Sequence, residues 1–148
     1  MRQASLFDLL PPENSEEAIG LIGVMPSVRA EMSRVAASYE PGRKMLVDAI
    51  ISVARREGVA LTSGGAKTIE LSTLEKWLQP TDRSHAPTPD AVLCFCIAAG
   101  TASPIKPVLK ALGLVAIPES DLADLEYGKL CMAERKLRER KKALEAKR

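Results

Sequence analysis

The sequence predicts an all-α fold: a small helical bundle containing a helix-turn-helix-like unit, with a flexible N-terminal arm and a long basic C-terminal helix. Apolar residues recur at intervals of three and four over most of the chain, which is the spacing of one helix face. Helix-capping residues, glycines and prolines separate these periodic stretches. Aromatic residues make up only 3% of the 148 residues, so the core must be built mainly from aliphatic side chains.

The first predicted element is an arm rather than a helix. Residues 1–26 contain the Pro11-Pro12 pair and few helix signals, so we expect a flexible segment. The first helix is then expected to begin at Pro26-Ser27 and to end at the Glu40-Pro41-Gly42 break. A second helix is predicted over 43–57, where Gly58 provides a C-terminal stop.

The middle of the chain predicts an irregular connection followed by a short helix. Residues 59–71 contain Gly64-Gly65 between apolar positions, which indicates an extended turn or a small hairpin. Ser72 is expected to cap a helix over Thr73–Gln79 that ends at Pro80. Leu74, Trp77 and Leu78 share one face of this helix, and we expect that face to point into the core.

Cap signals predict the remaining helices. Thr88 followed by proline should begin a helix that stops at Gly100, and Ser103-Pro104 should begin another that reaches Leu112. A last helix is expected from Glu119 to about residue 146. We therefore divide the chain into the arm 1–26, a helical domain over 27–117 and a C-terminal basic helix over 118–148.

Composition favours a binding protein of a reducing cytosol. No apolar run approaches the ~18–20 residues of a membrane span, and the N-terminus does not resemble a secretion signal. Three cysteines, an odd number, suggest free thiols in a reducing compartment. The single histidine, His85, makes histidine-based metal binding or catalysis a poor expectation.

Enzyme signatures are weak, and we expect neither catalysis nor a cofactor. The stretch Ser63–Thr68 lacks the glycine spacing and the Gly-Lys-Ser/Thr ending of a phosphate-binding loop. Cys94 and Cys96 are two residues apart on a predicted helix, so their side chains diverge and are expected to be buried thiols. A structural zinc site would need four convergent ligands, and none can be assembled here.

Charge is segregated along the chain. Residues 1–40 hold three bases and six acids, residues 41–117 nine bases and six acids, residues 118–128 four acids, and residues 129–148 nine bases and three acids. A basic centre and a strongly basic tail fit a polyanionic partner, whose phosphates attract Lys and Arg. A solvated helix face would account for the same charges.

The order of helices over residues 27–78 suggests how DNA would be bound. A scaffold that holds a short helix lets polar residues near its N-terminus reach base edges in the major groove. An amphipathic helix in an all-α core with no DNA role remains the alternative. The DNA-binding candidates are Arg43, Lys44, Lys67, Ser72, Thr73, Lys76, Gln79 and Arg83.

A resemblance supports the same interpretation. The string Leu71–Pro80, followed by Asp82-Arg83-Ser84-His85-Ala86-Pro87, resembles the region of the recognition helix in regulators of Mu-like and CII-type prophages. The resemblance extends over about residues 40–113 and implies a DNA-binding regulator of a mobile element, not a catalyst. It also implies a location in the cytoplasm of a bacterial host, close to the nucleoid. The long connection over 59–71 departs from a helix-turn-helix, in which three or four residues join the two helices.

A second resemblance concerns residues 3–7. Gln3, Leu6 and Phe7 match in outline the pentapeptide with which bacterial replication and repair proteins dock on the sliding clamp. An extended peptide of this kind would place Leu6 and Phe7 in an apolar pocket. The alternative is an N-terminal apolar segment that folds back on the core. An adaptor that uses this peptide, or the C-terminal helix, is the rival to a DNA-binding regulator.

The C-terminal helix leaves three roles open. Leu130, Leu137 and Leu144 are seven residues apart, but the positions that would accompany them in a coiled coil are not consistently apolar. The helix could form an imperfect homodimer, act as a basic arm on nucleic acid, or be a solvated helix packed only at a few leucines.

Overall fold

The computed structural model describes residues 20–148, and this part of the chain is all helical, without a strand. The predicted all-α fold class is confirmed, whereas the helix-turn-helix unit stays a prediction. Two 3-10 turns, at Ser103–Ile105 and Glu119–Asp121, precede the last two α-helices. The described residues divide into two compact units, one up to Leu114 and one over Val115–Arg148. The α-helices are α1 (Leu21–Ser38), α2 (Arg43–Glu57), α3 (Leu71–Trp77), α4 (Pro89–Ala99), α5 (Lys106–Ala111) and α6 (Leu122–Glu145).

Helix α1 begins at Leu21, so the start predicted at Pro26-Ser27 is wrong, as is the extension of the arm to residue 26. The proline lies inside the helix, where its missing N–H leaves the carbonyl of Ile22 without its helical donor. Ile22 is 87% exposed, so water can replace that bond. The Ser27 hydroxyl also donates to the carbonyl of Gly23 at 2.8 Å. Residues 1–19 of the predicted arm lie outside the described part of the chain.

The central core forms where α2 packs against α4. Leu46 and Ile50 on α2 and Phe95 on α4 are completely buried. The predicted limits of α2 are confirmed, and Gly58 follows it in the left-handed conformation at φ 68°, which a glycine adopts without a side-chain clash. The Thr88 hydroxyl accepts a hydrogen bond from the backbone N–H of Ala91 at 3.2 Å, as its predicted role as the α4 cap requires.

The connection between α2 and α3 is a turn, so the hairpin alternative is wrong. The backbone N–H of Leu61 bonds to the carbonyl of Ala66 at 2.7 Å, and that of Gly65 to the carbonyl of Thr62 at 3.0 Å. Leu61 and Ile69 are buried at either end of the turn. These two apolar contacts hold the connection on the core without strand pairing.

The segment before α5 differs from the predicted capped helix. Ser103 lies within a 3-10 turn and does not cap it; its backbone N–H bonds to the Thr101 hydroxyl at 3.2 Å. Its own hydroxyl donates to Glu31 of α1. The hydrogen bond from Arg34, and after it this bond from Ser103, lower the pKa of Glu31. The side chain is therefore used for a contact with α1, against which both this turn and α5 pack.

Candidate nucleic-acid interface

Helix α3 is fixed to the core by the side chains that its sequence predicts. Leu74, Trp77 and Leu78 are buried, and together they cover the inner face of the helix and its end. A helix of seven residues is too short to be stable alone. Its conformation therefore depends on these contacts, and its outer face is held in a fixed position.

The limits of α3 correct two sequence predictions. The helix begins at Leu71 after Glu70, whose carbonyl accepts the first bonds, from Thr73 at 3.0 Å and Leu74 at 3.2 Å. Ser72 is therefore inside the helix and does not cap it; its exposed hydroxyl lies 3.5 Å from a Glu70 carboxylate oxygen. Gln79 lies beyond the helix, which ends at Trp77, because a residue before proline disfavours the helical conformation.

A buried arginine holds the C-terminal end of α3. Arg29 of α1 is only 3% exposed. Its Nε donates to the carbonyl of Trp77 at 2.8 Å and its Nη2 to the carbonyl of Lys76 at 2.6 Å. Its Nη1 donates to the carbonyl of Asp82, and a longer bond of 3.5 Å reaches His85. The last carbonyls of a helix lack helical partners and carry partial negative charge, so a guanidinium group is well suited to them.

This role of Arg29 is not predicted from the sequence, where the residue is included only in the number of basic residues over 1–40. The signal is its position: Arg29 precedes Met32 by three residues and Ala36 by seven, and both are buried on α1. A base in an apolar stripe must be desolvated, and desolvation lowers the pKa of Arg29. Such a group is stable only where several acceptors surround it.

The loop after α3 is organised by Asp82. Its carboxylate accepts hydrogen bonds from the Ser84 hydroxyl and the Ser84 backbone N–H, both at 2.9 Å. The backbone N–H of His85 is a third donor at 3.2 Å, and the His85 ring lies 3.1 Å away. The hydroxyl bond from Ser84 is the main cause that lowers the pKa of Asp82 from 3.8 to about 2. Asp82, Ser84 and His85 therefore stabilise this loop together.

The outer face of α3 carries mixed charge. Ser72 and Lys76 are exposed and Thr73 is half-buried. Glu70 and Glu75 are exposed beside them. If this face binds DNA, the positive charge that attracts its phosphates must therefore come from neighbouring segments of the chain.

The other predicted bases lie on separate segments. Arg43 and Lys44 are exposed at the first two positions of α2, Lys67 is exposed in the connection to α3, and Arg83 is exposed in the loop after it. Among residues 20–148, no hydrogen bond or ion pair joins these four to one another or to the polar residues of α3. Arg55, an exposed base that was not singled out, lies in the last turn of α2, about 18 Å along the axis from Arg43.

A groove of about 640 Å³ borders the Arg29 contact. Ile22, Met25 and Pro26 of α1 line one side, and residues 80–83 with Ala86 line the other. Arg83 lies on this second side. One wall of the groove is therefore the loop that Asp82 organises.

Other site types receive no support from the described residues. Cys94 and Cys96 are buried, as predicted, and burial raises the pKa of both thiols. Cys131 is exposed. No three metal-binding side chains come together within residues 20–148, and no helix there has the length and apolar character of a membrane span.

Comparison with known proteins adds no relative. The chain matches no protein-family model, no curated protein and no solved structure. The fold and the site therefore define only an all-helical protein with a short, firmly anchored helix whose outer face is polar.

Proposed function

We propose that the chain is a sequence-specific DNA-binding regulator of the kind that phages and prophages encode, with α3 as the recognition helix. The proposal rests on the contacts that anchor α3 to the rest of the first unit. Leu74, Trp77 and Arg29 fix its inner face and its C-terminal end, while Ser72 and Lys76 remain exposed. A helix that reads base edges needs a rigid support and a polar outer face.

The basic side chains around α3 would contact the phosphates of DNA rather than the edges of the nucleobases. Arg43 and Lys44 lie at the N-terminus of α2, where the helix dipole also favours an anion. Lys67 precedes α3 and Arg83 follows it, so that positive groups border α3 on both sides along the chain. Gln79 lies outside the helix, and we assign it a contact at the edge of the interface.

The test begins by selecting duplexes from a random DNA library with the purified protein. Affinity for the selected duplex is then measured for wild type, Thr73→Ala and Lys76→Ala. Loss of a base contact should weaken specific binding by about 1–3 kcal/mol and should leave binding to unrelated DNA nearly unchanged. Lys106→Ala, which removes an exposed base from α5, is the matched control. Equal affinity of all four proteins for the selected duplex would refute the assignment of α3.

The rival function is an adaptor without enzymatic activity. Its proposed clamp-binding peptide, Gln3, Leu6 and Phe7, lies outside the described residues. The observation that favours a protein contact is that α6 has no buried residue. Replacing Leu6 and Phe7 by alanine should abolish capture of the bacterial sliding clamp and spare DNA binding. Capture of the clamp by both proteins, or by neither, would remove the clamp hypothesis.

A further inference from the structure

Helix α6 exposes an apolar stripe along its whole length. None of its residues is buried, and its leucines at 122, 130, 137 and 144 are 47–69% exposed. At 3.6 residues per turn these leucines, with Tyr127 and Ala133, lie on one face about 140° wide. The stripe is about 33 Å long from Leu122 to Leu144. An extended exposed apolar surface of this kind marks an interaction site.

The charges of the same helix change sign from one end to the other. Residues 119–126 contain four acids and no base, whereas residues 140–147 contain four bases and one acid. Ion pairs within α6 join Arg135 to Glu139 at 3.2 Å and Glu134 to Arg138 at 2.5 Å, and Lys141 approaches Glu145 at 3.9 Å. The acids of 119–126 take no part in these pairs. They give this end of the helix a negative charge that a basic surface would complement.

We propose that this stripe binds the same stripe of a second copy of the chain, with the two helices antiparallel and crossing near Ala133. Leu122 of each copy then lies level with Leu144 of the other. The acidic segment 119–126 of each copy lies beside the basic segment 140–147 of its partner. Charges that flank an apolar seam determine the orientation of paired helices.

Five charged residues lie within the same 140° face, namely Glu126, Glu134, Arg140, Lys141 and Glu145, and three of them favour this orientation. Glu126 lies level with Arg140 of the second copy and next to its Lys141. Opposite charges therefore face each other at positions of the stripe that are not apolar. Ala133, a small residue, lies at the crossing point and permits close approach of the helix axes. A parallel pair would instead place the nine bases of residues 129–148 against nine identical bases.

The oligomeric state of the full chain tests the surface. Sedimentation equilibrium should give twice the chain mass of 16.0 kDa. The double variant Leu130→Gln/Leu137→Gln should sediment as a monomer. Leu125→Gln/Met132→Gln makes the same chemical change on the opposite face of α6 and should remain a dimer. Trp77 fluorescence checks that the first unit stays folded in both variants.

The orientation is tested by a distance between two labels. A spin label is attached at Ala146→Cys in a chain that also carries Cys131→Ser, because Cys94 and Cys96 are buried. The antiparallel arrangement places the two labelled positions about 40 Å apart along the helix axis, whereas a parallel arrangement places them level. High salt should weaken the antiparallel dimer by screening the attraction between its ends.

Several outcomes would overturn the proposal. A wild-type protein that is monomeric at all concentrations would show that α6 is solvated or binds another partner. Equal dissociation of both double variants would show that the stripe is not the interface. Labels that lie level, or a dimer strengthened by salt, would show parallel helices.

Discussion

Replacing Arg29 by methionine should strongly destabilise the first unit. Methionine keeps the unbranched apolar stem of the arginine but removes every donor that holds the carbonyls of Lys76, Trp77 and Asp82. The bond to Trp77 is buried, and a hydrogen bond to a charged group contributes about 1.5–3 kcal/mol. The three partly buried bonds, to the carbonyls of Lys76, Asp82 and His85, add less, because water can replace the lost donor. Recovery of the desolvation cost offsets part of the loss.

We therefore expect the free energy of unfolding to fall by about 2–4 kcal/mol, out of the ~5–15 kcal/mol typical of a domain. Urea denaturation followed by tryptophan fluorescence measures this change, because Trp77 is the only tryptophan and accepts the buried bond. Arg34→Met, on the exposed side of the same helix, is the matched control and should have a much smaller effect. Arg29→Lys should be intermediate, since an ammonium group cannot reach all three carbonyls. A variant Arg29→Met as stable as the control would refute this account of the contact.

Three further predictions follow from the described contacts. Trp77→Ala should lower the free energy of unfolding by about 3–5 kcal/mol through loss of core packing, and a transition followed by circular dichroism that coincides with that of wild type would show that Trp77 is not a core residue. Because the pKa of Asp82 is lower in the folded protein than its ordinary 3.8, its carboxylate should stabilise the fold above pH 4, and this contribution should be lost as the pH falls towards 2. The variant Asp82→Asn should therefore lose less stability over that pH range than wild type. Identical acid titrations of the two proteins would contradict the prediction. Brief treatment of the folded protein with a maleimide should modify Cys131 and spare Cys94 and Cys96, and mass spectrometry showing more than one adduct per chain would indicate that α4 opens readily.

The parts of the fold that could be predicted from the sequence are those set by local interactions. Thr88 caps α4 through a bond to a residue three positions away, and Gly58 stops α2 through its own backbone conformation. The inward face of α3 follows from the spacing of Leu74, Trp77 and Leu78, because a seven-residue helix can bury one face only.

The errors arose where distant residues decide the local structure. Arg29 binds acceptors 47–56 positions away, and nothing in its own neighbourhood identifies them. Ser103 was expected to cap a helix, but Glu31 of α1 takes its hydroxyl. The sequence predicts that α1 begins at Pro26, but the helix begins five residues earlier, at Leu21. This additional turn places Val24 in the core, where it is buried. The function and the site of DNA contact remain predictions, because exposure alone does not name a ligand.

The anchoring of α3 also makes its outer surface suitable for protein engineering. Among the described residues, the side chains of Ser72, Glu75 and Lys76 form no hydrogen bond with another helix, and substitutions at such exposed positions usually change stability by less than about 0.5 kcal/mol. A library at these three positions, with Arg29 and Trp77 kept, would therefore vary the chemistry of one face while the backbone beneath it stays in place. Selection from such a library would map whatever this face binds, and the same scaffold could be directed to ligands of a different charge.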